Sequence, residues 1–126
     1  MIAYFDTNAL VWLAEGSLVG LSRQIDRVLE QADLFFSAMV LLEIEYLYEI
    51  KRIKRPARDI QGKVEGELGV RLCDRPFSAV ASAALDEKWT RDPFDRLIVA
   101  NAKANGFAWL ISSDESIRQH YPRAVW

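Results

Sequence analysis

Hydrophobic and polar positions along the chain switch between two periods. Ile2–Phe5 is a short apolar run stopped by Asp6, the pattern of a buried strand. Ala9, Leu10, Trp12 and Leu13 give Thr7–Glu15 a helical face, with Gly16 placed to end it. Ser22 suits the cap of a second helix, and Ile25, Val28, Leu29 and Ala32 follow at helical spacing. Leu34–Ala38 reads as the second strand and Met39–Arg52 as a longer helix. Pro56 suits the first turn of another helix carrying Ile60, Val64 and Leu68, although Gly62 and Gly66 weaken its propensity. Val70–Cys73 is a third strand. Pro76–Lys88 is helical, with Phe77, Val80, Ala81, Ala84 and Leu85 on one face. Asp92 and Pro93 make a cap and first-turn pair for a helix to Asn105, closed by Gly106. Trp109–Ser113 is the next strand. Ser112 and Glu115 have capping-box spacing for a short helix through Gln119, and Ala124–Trp126 is a last strand.

Strands alternating with helices predict an α/β fold with a central, mainly parallel sheet. A helix ending at Lys88 lies close to the one opening at Asp92. Two helices so closely joined cannot both run antiparallel to the sheet, so Pro76–Lys88 is expected to lie across it.

Composition narrows the function. The chain has 126 residues, 51% hydrophobic and 27% charged, which suits one folded domain spanning 1–126. The single cysteine, Cys73, excludes an internal disulfide and any multi-cysteine zinc site. The single histidine, His120, excludes paired-histidine metal motifs and leaves histidine-assisted nucleophilic catalysis without its usual parts. No apolar run approaches the roughly 20 residues of a membrane span. Met1–Asp6 lacks the basic opening of a signal peptide, so a cytoplasmic location is expected. A net charge of −2 supplies no global attraction for nucleic acid. The one local exception is the basic stretch Lys51, Arg52, Lys54, Arg55 and Arg58. It reads equally well as solvated helix ends or as a phosphate track leading to an acidic site that itself repels RNA.

In a parallel sheet, ligands bind beyond the carboxyl ends of the strands. The residues expected at that edge are acidic. Asp6 follows the first strand, and Glu43 lies about a turn into the helix after the second. Asp114 follows the strand Trp109–Ser113. Asp92 and Asp95 open the helix feeding that strand, which must run antiparallel to it and so starts at the same edge. Each has a plainer reading as a helix cap or a first-turn acid. Glu43 resists that reading, because its neighbours Met39, Val40, Tyr46 and Leu47 place it on an apolar face. Glu45 and Glu49 share another face and read as solvated. A buried, unpaired carboxylate is costly, and a cation shared with the other acids would satisfy it. An oxygen-only acidic cluster suits Mg²⁺ or Mn²⁺ and points to metal-assisted phosphodiester hydrolysis.

Phe5-Asp6-Thr7-Asn8 resembles the opening of PIN-domain nucleases. Glu43 resembles the second acidic position of that family. Arg91-Asp92-Pro93-Phe94-Asp95-Arg96-Leu97 resembles its third motif, with Asp95 as the family acid, and Leu110–Asp114 resembles the fourth. The resemblance spans nearly the whole chain and extends to VapC-type toxins of type II toxin–antitoxin pairs. Ser112 departs from it mildly, standing where many members have Thr. The resemblance implies a three-layer α/β/α sandwich and a Mg²⁺- or Mn²⁺-dependent endoribonuclease acting on RNA. It also implies a homodimer and a small antitoxin partner. Asp6, Glu43, Asp95 and Asp114 are the implied metal-binding and catalytic residues. Thr7, Asn8 and Ser112 read as positioning groups or simple caps, and Asp92 as a cap or an outer-shell acid. Three rivals stay open. One is a receiver-like phosphoacceptor domain, which lacks a lysine at a strand end. The others are a PIN-like nuclease of RNA processing and an inactive PIN-like binding module. The four tryptophans and the tyrosines exceed what a small core needs, which suggests an interface.

Overall fold

A computed structural model describes all of residues 1–126. In chain order the elements are β1 (Ile2–Phe5), α1 (Thr7–Glu15), α2 (Arg23–Gln31), β2 (Asp33–Phe36) and α3 (Ala38–Glu49). There follow α4 (Ala57–Glu67), β3 (Arg71–Leu72), α5 (Phe77–Ala84) and α6 (Pro93–Ala104). The chain ends with β4 (Trp109–Ile111), α7 (Glu115–His120) and β5 (Ala124–Val125). The five strands form one sheet in the order β3-β2-β1-β4-β5, and every pairing is parallel.

This order has a physical consequence. From β1 the chain steps outward to β2 and β3, then crosses back to β4 and β5. Right-handed crossovers therefore put α1–α4 on one face and α5–α7 on the other. The result is the expected three-layer sandwich. The reversal falls between β1 and β4, which makes their carboxyl ends the natural binding crevice.

β1 is held on both sides, with Phe5 opposite Phe36 of β2 and Ile111 of β4. Ala3, Tyr4 and Phe5 are buried, as a strand covered on both faces requires. Phe5, Phe36, Leu10, Ile44, Leu110 and Ile111 anchor the main core. Each contributes roughly 1.5–3 kcal/mol by leaving water. Tyr121 is fully buried and donates its hydroxyl to the Ala108 carbonyl at 2.5 Å.

Several details differ from the sequence reading. The helix expected over Pro76–Lys88 stops at Ala84, and it packs on α6 rather than across the sheet. Val80 and Ala84 meet Ala100 in a small cluster of their own. Arg96 grips the Ala84 carbonyl at 3.1 Å, closing an antiparallel helical hairpin. The cap of α7 is not Ser112 but Asp114, whose Oδ1 accepts from the Ile117 amide at 2.9 Å. Glu45 is not solvated: its Oε1 accepts from the Ala57 amide at 3.1 Å and so caps α4. All four tryptophans are half-buried, Trp89, Trp109 and Trp126 against the core and Trp12 edge-on to Trp126, so the exposed aromatics are Tyr46, Tyr48, Phe77 and Phe107 instead.

Candidate active site

The crevice between β1 and β4 opens into a cleft of about 260 Å³. Asp6, Glu43, Asp92, Asp95 and Asp114 all line it. Thr7, Asn8, Leu47, Arg52, Ile98 and Ile117 complete the walls. The acids expected from sequence are therefore brought together, although they come from four separate stretches of chain.

Each acid is placed by a local rule. Asp6 leaves β1 in extended conformation and caps α1, its Oδ1 accepting from the Ala9 amide at 2.9 Å. Asp92 caps α6, accepting from the Phe94 amide at 2.8 Å and from the Asp95 amide at 3.3 Å. Asp95 thereby sits in the first turn, aimed at the same edge. Asp114 caps α7. Glu43 hangs from α3 and accepts a short hydrogen bond from the Thr7 hydroxyl. Ser112 accepts from the Asp114 amide at 3.1 Å, which fixes the turn after β4. Capping and convergence are thus the same geometry here, since helix N-termini collect at this edge.

Electrostatics separates Asp6, Glu43 and Asp95 from ordinary capping or first-turn acids. Burial pushes Asp6 up to about 6, against the pull of the Ser112 hydroxyl and the Ala9 amide, with Asp114 and Glu43 adding repulsion. Asp95 rises to about 7, first through burial and then through Asp92, Asp114, Glu43 and Asp6. Burial also raises Glu43, opposed by Thr7 and aided by Asp92. The carboxylates share the cleft, but no three of them close into a tight ligand cluster.

One member of this site was legible only as part of a basic stretch. Arg52 belongs to the basic stretch, yet it lines the acidic cleft. The chain's two ion pairs, Arg71–Asp33 and Lys103–Glu87, involve neither Arg52 nor any cleft acid. Lys103 is engaged with Glu87, away from the acids, which removes the receiver-like alternative.

The sequence matches the PIN domain family over residues 3–121. The chain belongs to the PIN domain family. Its members are generally nucleases. None of the curated proteins matches the sequence. Among solved structures, the chain is similar to one in the crystal structure of VapBC2 from Rickettsia felis bound to a DNA fragment from their promoter. The TM-score is 0.65 at 17% identity, covering 99% of this chain and 96% of that one. At that identity the likeness concerns the fold. It extends the PIN architecture over the full length of this chain, and no helix is long and apolar enough to cross a membrane.

Proposed function

We propose that this protein is a Mg²⁺- or Mn²⁺-dependent endoribonuclease and the toxin of a VapBC-type pair. Residues 1–126 act as one catalytic unit in the cytoplasm. The observation that carries the reading is the meeting of Asp6, Glu43, Asp95 and Asp114 in one cleft of a PIN-family chain. The donor set fits a hard divalent cation: it is oxygen only, partly buried and dominated by negative charge. Asp6 and Asp95 would hold the ion directly, and Glu43 and Asp114 through water or on a second ion. Such an ion supplies Lewis acidity to the phosphodiester and a more acidic attacking water.

The chain's own residues prepare that site. Thr7 fixes the Glu43 carboxylate, and the Ala9 amide fixes that of Asp6. Burial of Asp6 keeps bulk solvent from the floor of the cleft. Purified protein, freed of any antitoxin, is expected to cut RNA with Mg²⁺ or Mn²⁺ and to stop in EDTA. Cleavage at full rate in EDTA overturns the proposal.

A small antitoxin and a second copy of the chain are the proposed partners. Support comes from the VapBC2 assembly in the similar structure and from apolar groups left exposed on two helices. Leu42, Tyr46 and Tyr48 stand out from α3, and Phe77 from α5. Sedimentation should show a dimer at micromolar concentration, and a clean monomer refutes it.

A further inference from the structure

Arg52 is the only basic residue lining the acidic cleft. Its place there depends on an unusual backbone. Lys51 takes a left-handed conformation with φ 64°, uncommon for a residue other than glycine. The turn is locked by the Arg52 amide, which donates to the Leu47 carbonyl at 2.8 Å. The chain is thus bent back at the end of α3, and Arg52 joins Glu43 and Leu47 on one wall. Arg52 lines this cleft from an exposed position, which puts it at the outer rim. Asp6 lies on the floor.

A guanidinium placed merely to neutralise the acids would pair with one of them. Arg52 pairs with none, and its side chain makes no hydrogen bond. Its five N–H donors remain free in a fork suited to a phosphate. A strand entering this cleft meets repulsion from every other ionised group. Lys51, Lys54, Arg55 and Arg58 continue the positive charge on exposed positions beyond Arg52.

We infer that Arg52 is a substrate-binding residue that holds, at the rim of the cleft, a backbone phosphate neighbouring the one cleaved. The inference rests on the ribonuclease reading and deepens it. Because this phosphate does not change in the reaction, the contact strengthens ground state and transition state alike. It therefore shows in KM rather than kcat.

The test uses a short single-stranded RNA. Arg52→Gln should raise KM about tenfold, as expected for one lost charge-assisted pair, with kcat unchanged. In EDTA, where nothing is cut, anisotropy titration of the labelled RNA should show weaker binding. Its salt slope should fall by about 0.7, the value of one phosphate contact on a single strand. Arg27→Gln removes the same charge from exposed α2 and should change neither quantity. Lys51→Gly and Lys51→Val remove the same charge, and only valine resists the left-handed turn, so Lys51→Val should bind the RNA more weakly than Lys51→Gly. An Arg52→Gln variant with unchanged KM and salt slope overturns the inference while leaving the ribonuclease reading intact. So does a loss confined to kcat. Wild-type protein that neither binds nor cuts RNA overturns both.

Discussion

Glu87 and Asp6 are both buried carboxylates, 2% and 6% exposed, yet their surroundings are opposite. Glu87 receives the Lys103 ammonium on one oxygen and the Trp89 indole N–H, at 2.7 Å, on the other. Trp89 in turn stacks on the His120 ring at 4.8 Å, which ties the α5–α6 connection to α7. Asp6 receives an amide and a hydroxyl but no cation, and its charged neighbours Asp114 and Glu43 share its sign. Burial alone therefore does not mark a site in this molecule. The mark is a buried acid that the fold has left without an opposite charge, a partner that must come from outside.

The comparison can be broken at either end. The largest effect is expected at the cleft. If Asp95 holds the ion as proposed, Asp95→Asn should lower RNA cleavage by about a hundredfold or more, because the charge that the ion offers the reacting phosphate is then misplaced. The same variant should be more stable than wild type in EDTA and gain less from millimolar Mg²⁺, which stabilises by binding only the folded state. Thermal melts with and without the ion decide this. An Asp95 that serves only as a first-turn acid gives no gain in EDTA and an unchanged response to Mg²⁺.

Lys103→Met would turn Glu87 into a second Asp6. Stranding a buried carboxylate should cost about 3 kcal/mol at neutral pH by urea unfolding, with part of the loss recovered on acidification. A neutral outcome would mean that Glu87 is not held by its charge partner.

A smaller effect is expected from pH in the metal-free protein. The Asp95 pKa is raised in the folded state, so its stabilising contribution is full below 3.8 and is lost as pH rises through about 7. Asp6 behaves likewise, with its loss near pH 6. Because Asp95 is only half-buried, solvent screening reduces its share to something on the order of 1 kcal/mol. Melting temperature in EDTA should rise from pH 8 to pH 5 by more in wild type than in Asp95→Asn. The smallest effect is Glu45→Ala, which removes the side chain capping α4 and should cost about 1 kcal/mol.

The cleft was readable because its acids occupy positions that local pattern announces. Asp6 and Asp114 follow short apolar runs, and Asp92 and Asp95 precede a long helical one. The parallel topology then gathers them. Glu43 betrayed itself by an apolar face. What stayed hidden depends on contacts distant in sequence or on rare backbone. Glu87 and Lys103 belong to different elements that no period links. Leu85–Lys88 favour helix by propensity, yet the helix ends at Ala84, and the chain turns to bring Glu87 under Lys103 and Trp89. Arg52 could not be placed because a left-handed lysine carries no signal in the sequence. Ser112 and Asp114 were rival caps two residues apart. The end of β4 at Ile111 leaves Ser112 to hold the turn and Asp114 to cap the helix.

The central strand has a consequence for how the protein comes into being. β1 is made first, but one of its two neighbours, β4, comes from residues 109–111. A ribosome adds about 5–20 residues per second, so β1 waits several seconds for that neighbour. Asp114 is translated 108 residues after Asp6. Until that later segment is made, one side of β1 is bare and the cleft has neither its β4 edge nor its last acid.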